Sequence, residues 1–295
     1  MRHITVTAAA VTLGAALASL TACSTISSTP PASAGGGGTS SATAAACTYD
    51  SIQGELYTKG ELTVATDQPA YTPWFVNNQP SNGEGYESAV AYAIAKELGF
   101  AKDQVKWAYE PFDSSYAPGP KKFDFDINEI SYTPQRATAV SFSVSYYNDR
   151  EALISLKNNP IVTKHTPAEL KTYIYGDQIG TTSLTYINSQ IQPNTTPKVY
   201  DTLNDVVSAL QDKQIDAFVT DTPTAQYMAA DQIPKSVVIG QFPSNDEYYG
   251  LLFAKGNPLV SCVNQAITKI TDNGTLNALQ TKYLQIYTSV PTIQP

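Results

Sequence analysis

From residue 62 onward, short stretches with a two-residue apolar period alternate with stretches of helical spacing, and this alternation restricts the fold more than any other feature. Residues 62–66 and 105–109 read as strands. Phe123, Phe125 and Ile127 alternate with Asp124, Asp126 and Asn128, again a strand pattern. Residues 86–98 have helical spacing and stop at Gly99. Thr133-Pro134 reads as an N-cap followed by Pro at the first helical position. A second set follows, with strands expected at 151–156, 173–179, 215–220, 237–239 and 248–253. Its helices are expected to start at Thr166-Pro167, where Glu169 completes a capping-box spacing, at Asp201 and at Thr222-Pro223. Residues 258–284 read as two helices broken at Asn273-Gly274. Alternating βα units predict an α/β fold, and two such sets predict two lobes, each a mostly parallel sheet flanked by helices.

The first 46 residues cannot join such a core. Met1-Arg2-His3 is a short basic start, 4–20 is an apolar run, and Leu20-Thr21-Ala22-Cys23 closes it. This is the pattern of a secretory signal with small residues before the cut. The cut before a cysteine resembles the lipobox of bacterial lipoproteins. That resemblance implies cleavage after Ala22, with Cys23 acylated and tied to the outer face of the cell membrane. Residues 24–46 are Ser, Thr, Pro, Ala, Gly and one Ile, without charge. Such a segment cannot offset its ordering entropy by burial. As a flexible coil, it spans roughly 25 Å end to end. No other apolar run approaches the ~20 residues that cross a bilayer.

The folded body, 47–295, suits one large domain or two of ordinary size. The chain carries 18 Lys and Arg against 26 Asp and Glu, a net charge of −8. An acidic body without a basic cluster argues against nucleic acid as a partner. With Cys23 acylated, Cys47 and Cys262 remain. An even pair in an exported chain reads as a disulfide, with two separate thiols as the alternative. Once the leader is removed His165 is the only histidine, and it sits beside an expected helix start. A metal site rich in His or a Ser-His-Asp triad would need that one residue, so neither a metal nor another cofactor is expected.

In open α/β sheets, ligands bind beyond the carboxyl ends of the strands. Asp67, the segment Glu129 to Arg136, Gly180-Thr181-Thr182 and Asp221 all occupy such ends. A guanidinium, a turn entering a helix, and carboxylates suit an α-amino acid zwitterion. The first two suit its carboxylate, and a carboxylate suits its ammonium.

Across residues 62–283 the chain resembles the bacterial extracellular solute-binding proteins, family 3, of polar amino acid ABC importers. Thr66-Asp67-Gln68-Pro69-Ala70-Tyr71-Thr72-Pro73-Trp74 matches the family's Asp…Tyr-x-Pro-aromatic segment with one extra residue. Gly85-Tyr86-Glu87, Phe112-Asp113, Ser131-Tyr132-Thr133-Pro134-Gln135-Arg136-Ala137, Gly180-Thr181-Thr182 and 216–221 follow in the family's order. The resemblance implies a two-lobe periplasmic-binding-protein fold of type II with two hinge crossovers. Lobe one would be 48–147 plus 250–288 and lobe two 148–249, after a signal peptide (1–22) and a tether (23–47). Arg136, with Ser131 nearby, would grip the ligand carboxylate. Thr182 and the amides of Gly180, Thr181 and Thr182 would cap it, and Asp221 would take the ammonium. Tyr71, Trp74 and Phe112 would wall the side chain, with Asp67 near its end. The chain would act as a monomer, delivering a polar amino acid to a membrane permease. An enzyme on the same scaffold, similar to cyclohexadienyl dehydratase, and a ligand-sensing receptor are the rival readings.

Two departures from the family pattern stand out. Glu129 replaces a small or uncharged residue at the end of a strand, where it is expected to face the cleft or pair with a lysine. With Asp67 and Asp221 it would make a cationic side chain electrostatically attractive. Pro118-Gly119-Pro120 interrupts a segment that is helical in the family.

Overall fold

The computed structural model describes residues 47–243, 246–285 and 290–293. The signal peptide, Cys23 and the tether up to Ala46 lie outside the described residues. The described residues include ten strands: β1 Leu62–Thr66, β2 Val105–Tyr109, β3 Phe125–Asp126, β4 Val140–Asn148, β5 Glu151–Leu156, β6 Gly176–Gln178, β7 Lys198–Tyr200, β8 Ala217–Asp221, β9 Ser236–Gln241 and β10 Tyr248–Ala254. Their α-helices are α1 Tyr86–Glu97, α2 Phe112–Ser115, α3 Arg136–Ala139, α4 Pro167–Leu170, α5 Thr182–Tyr186, α6 Leu203–Gln211, α7 Thr222–Tyr227, α8 Leu259–Asp272 and α9 Thr275–Tyr283.

The strands form two lobes. In the first, the order is β2-β1-β3-β10-β4. β1 runs parallel to β2 and β3, whereas β10 runs antiparallel to β3 and β4. In the second, β5 lies between β8 and β9 and is antiparallel to both. The parallel pair β6-β7 joins that sheet through a bridge from Tyr175 to Ala217. Both sheets are therefore mixed, rather than mostly parallel. The antiparallel strands β4, β5 and β10 are the ones that lead into and out of the crossovers, where the chain reverses direction instead of returning through a helix.

Core placement follows the strand pattern. β1 is buried along its whole length. One face of the first sheet packs Leu62, Val64 and Phe125 against Val90, Ile94, Val263 and Ile267 of α1 and α8. The other face holds Ala65, Ile130 and Leu252. The second lobe is likewise covered on both faces, by Val206, Leu210 and Met228 on one and by Ile187, Leu170 and Phe242 on the other.

Several boundaries differ from the sequence reading. β3 contains only two of the expected residues, because the ladder partners are Val64, Ala65 and Leu252 alone. α6 is capped by Thr202 rather than Asp201: Thr202 Oγ1 accepts from Asp205 N (3.2 Å), and Asp205 Oδ2 accepts from Thr202 N (3.2 Å). α3 begins at Arg136, two residues after Pro134, with Thr133 Oγ1 accepting from Arg136 N at 3.0 Å. Gly85, which caps α1, has φ 96°, and an added Cβ would meet the Trp74 carbonyl and the Phe75 backbone.

Cys47 and Cys262 form a disulfide that ties the start of the body to α8 across 215 residues of sequence. Closing so long a loop restricts the unfolded chain. The double variant Cys47→Ser/Cys262→Ser is expected to lose about 2–5 kcal/mol of stability. Urea unfolding at equilibrium measures it, and an unchanged midpoint would count against the entropic account.

Candidate functional site between the lobes

The carboxyl ends of β1, β3, β6 and β8 face one another across the cleft between the lobes. There they enclose a cavity of about 60 Å³. Asp67, Tyr71, Phe112 and Glu129 line it from the first lobe; Thr181, Thr182 and Asp221 line it from the second. Seven of the expected residues therefore meet in one place. Asn128, Asp177, Gln178, Ser183, Leu203 and Thr220 complete the lining.

Each carboxyl group is held by its local backbone. Asp67 follows β1, and its Oδ1 accepts from Gln68 N (2.6 Å) and its Oδ2 from Phe112 N (3.3 Å). Burial raises its pKa in spite of these bonds. Glu129 follows β3 at φ 53°, a left-handed conformation uncommon outside glycine. Its amide donates to Glu87 Oε1 (2.7 Å), and that carboxyl also accepts from the Tyr146 hydroxyl. Glu87, in the first turn of α1, thus braces Glu129 from below the cavity. Glu129 Oε2 accepts from Thr224 Oγ1 at 3.4 Å, across the cleft. The ion pairs among the described residues join Lys106 to Glu61, Lys164 to Glu169 and Lys282 to Glu84 on the surface, so the lysine alternative for Glu129 does not arise there.

Asp221 ends β8 and precedes α7 without making a side-chain cap. It shares the cavity lining with Glu129 of the first lobe. Burial, followed by repulsion from Asp221, pushes Glu129 and Asp149 well above the ordinary carboxylate range. Glu87 and Asp221 are also raised, again chiefly by burial. Asp177, on β6, rises with them through burial, although its carboxyl accepts from Gln178 N and Val219 N.

Arg136, Ser131 and Gly180 sit beside the cavity rather than on its lining. Arg136 Nη1 donates to the Ser131 carbonyl (2.7 Å) and Nη2 to the Gly180 carbonyl of the opposite lobe (2.8 Å). Its guanidinium carbon lies 5.4 Å from the Phe112 ring centroid and 4.7 Å from that of Tyr116. Ser131 Oγ and Thr182 Oγ1 are 3.2 Å apart, a second contact between the lobes. Gly180 has φ 75°, and a Cβ there would strike the Tyr116 hydroxyl. Thr181 caps α5 by accepting from Leu184 N (3.0 Å), which leaves Thr182 at the first turn.

Trp74 is fully buried and does not border the cavity. Its ring meets Tyr86, Tyr147 and Tyr249 edge-on, and Nε1 donates to Thr224 Oγ1 (2.7 Å). It therefore supports the cleft from behind, through the same threonine that reaches Glu129. Tyr71, by contrast, extends from the first lobe onto the apolar cluster of the second. Sequence reasoning missed Glu87, Asp149, Asp177 and Thr224. Of these, Asp177 alone carried a local signal, as a residue of an expected strand next to a Gly-Thr-Thr turn.

Residues 62–286 match the family model of the bacterial extracellular solute-binding proteins, family 3. The chain belongs to this family. A relative called a probable histidine-binding protein, from Campylobacter jejuni, is 29% identical over 80% of this chain and 90% of its own length. The arginine-binding periplasmic protein of Mannheimia haemolytica is 26% identical over 74% and 89%. Among solved structures, an ancestral arginine-binding protein bound to arginine superposes with a TM-score of 0.65, 26% identity and coverage of 76% of this chain and 98% of that one. This solute-binding protein thus has the type II, two-lobe architecture of its relatives.

The raised carboxyls give the binding protein a stability that depends on pH. Asp124, which accepts from Tyr57 N and Thr63 N, is pushed by burial from 3.8 to about 6. A carboxyl raised on folding stabilises the native state below its unfolded pKa and loses that contribution as pH rises through its folded one. Asp124 loses it between about 4 and 6, and the cleft carboxyls lose it from the same starting range upward. Without ligand, the protein is expected to melt at a higher temperature at pH 5 than at pH 8. Thermal scans across that range measure it, and a rise in melting temperature toward pH 8 would contradict the assignment.

Proposed function

We propose that this chain is the substrate-capturing lipoprotein of an amino acid ABC importer, and that its ligand is an amino acid with a cationic side chain. The observation that supports the reading most is the meeting of Glu129 and Asp221, from opposite lobes, in a cavity that Asp67 and Asp177 also line. Arg136 is the guanidinium beside that cavity. A zwitterion adds no net charge, so an extra positive charge is what such a lining attracts. Two relatives named for histidine and arginine binding point the same way.

On this reading Asp221 and Glu129 take the α-ammonium. Arg136 turns from the carbonyls of Ser131 and Gly180 to the ligand carboxylate, which the amides of Gly180 to Thr182 cap. Tyr71 and Phe112 flank the side chain, and Asp67 and Asp177 face its charged end. Because the groups come from both lobes, the ligand favours closure through its greater affinity for the closed form, by hinge motion of the kind known in periplasmic binding proteins. Cleavage before Cys23 and acylation hold the body, as a monomer, at the outer face of the cell membrane, where it passes ligand to a permease. Residues 48–147 with 250–288 and residues 148–249 move as the two lobes. The protein is a carrier and leaves its ligand chemically unchanged.

Calorimetry against all twenty amino acids, after unfolding and refolding to remove carried-over ligand, tests this. Saturable binding of Arg, Lys or His is expected, weakened by about a hundredfold or more in Asp221→Asn and Arg136→Ala. Equal affinity for Gln and Glu would overturn the cationic assignment.

A further inference from the structure

One threonine of the second lobe closes a ring of hydrogen bonds whose other members all belong to the first. Within the first lobe, the Glu87 amide donates to the Trp74 carbonyl (3.0 Å), and the Glu129 amide donates to Glu87 Oε1 (2.7 Å). Glu87 thereby fixes the backbones of Trp74 and Glu129 relative to each other. Thr224, in α7 of the second lobe, completes the ring between their side chains. Its Oγ1 lies 2.7 Å from Trp74 Nε1 and 3.4 Å from Glu129 Oε2. Trp74, Glu87 and Thr224 are all fully buried.

The direction of each bond in this ring is set by chemistry. An indole N–H donates and never accepts, whereas a hydroxyl accepts and also has one proton to give. Trp74 donates to the Thr224 hydroxyl, and that hydroxyl donates its proton to Glu129 Oε2. Both ends of the relay are held in place. The Thr222 amide and hydroxyl both donate to the Arg150 carbonyl, in the turn between β4 and β5 (2.9 and 2.7 Å), which seats the first turn of α7. The Trp74 ring is wedged edge-on among Tyr86, Tyr147 and Tyr249. Glu129 lines the ligand cavity and Thr224 does not, so the hydroxyl reaches a ligand through Glu129.

We propose that Thr224 is a positioning residue of the ligand site, which orients the Glu129 carboxyl toward the ligand's ammonium through the relay from Trp74 and does so when the lobes are together. Both partners of its hydroxyl belong to the first lobe, so separation of the lobes withdraws Thr224 from the two at once. Glu129 then loses its side-chain bond, while its amide stays on Glu87. The oriented carboxyl is thus a property of the closed form. A ligand that uses it binds that form more tightly than the open one, which is the differential affinity that closure requires. The same relay makes the Trp74 indole a reporter of closure, since its N–H meets the Thr224 hydroxyl across the lobe boundary.

This proposal rests on the reading that Glu129 meets the ligand's ammonium, and one set of titrations separates the two. Calorimetry with L-arginine compares the unaltered protein with Thr224→Val, Thr224→Ser, Glu129→Ala and the double variant Thr224→Val/Glu129→Ala. Valine keeps the shape of threonine and removes the hydroxyl. Thr224→Val is expected to weaken binding about tenfold or more, the scale of a lost hydrogen bond to a charged group. Thr224→Ser restores the affinity. Added to Glu129→Ala, Thr224→Val costs less than about threefold, because a residue that acts through another is not additive with it. Equal losses in both backgrounds overturn the role of Thr224 and leave the amino acid reading standing. Failure of the unaltered protein to bind L-arginine, L-lysine or L-histidine removes the reading and the proposal with it. In Trp107→Phe, Trp74 is the one tryptophan left, and its emission is expected to shift on adding L-arginine and to lose that shift when Thr224→Val is added. A shift that persists without the hydroxyl overturns the relay. If Thr224→Val does not fold, Trp74→Phe, which removes the donor, takes its place in the same cycle with the same expected pattern.

Discussion

The contact on which the site depends is between like charges. Glu129 and Asp221 come from opposite lobes and line one cavity of about 60 Å³. Ionised carboxylates at that range repel one another strongly in a poorly solvated cleft. On the proposed reading, closure is therefore favoured by positive charge between the lobes, brought by a proton or by a ligand. The cavity thus carries a carboxyl from each lobe, an acidic excess that a cation would compensate.

The rest of the fold maintains that arrangement. Glu87 braces the Glu129 amide and is itself held by Tyr146 on β4, the strand that leads into the first crossover. Thr224 receives the Trp74 indole N–H and reaches Glu129, so the aromatic core of the first lobe and the start of α7 share one hydroxyl. The two crossovers are themselves linked, because Asp149 N donates to the Glu247 carbonyl (3.1 Å). On the far side of the cavity, Arg136 and the Ser131–Thr182 pair join the lobes through neutral acceptors. That side of the cleft is thus bridged by ordinary hydrogen bonds.

Much of this was legible in the sequence, for a local reason. A residue at the carboxyl end of a strand in an α/β lobe is placed by its own segment, so Asp67, Glu129, Thr181, Thr182 and Asp221 could be selected without knowledge of tertiary contacts. Alternation and capping patterns likewise located β1, β2, α1, α8 and α9 to within a residue or two. What escaped was set by partners distant in sequence. Glu87 meets the Glu129 amide and the Tyr146 hydroxyl, and the Asp149 amide meets the Glu247 carbonyl, across long stretches of sequence. Trp74 has the position of a pocket wall, but its indole faces the core because Tyr86, Tyr147 and Tyr249 surround it there. β3 was expected to be longer because the Phe-Asp alternation continues beyond the two residues that find ladder partners.

Small-angle X-ray scattering of ligand-stripped protein at pH 8, with and without saturating L-arginine, tests most directly whether a cation draws the two acidic faces together. The account requires a larger radius of gyration without ligand, a decrease on adding L-arginine, and a similar decrease on acidifying the ligand-free protein to pH 5. A radius of gyration unchanged by both ligand and acid would show that the carboxyls meet without added positive charge, and would contradict it.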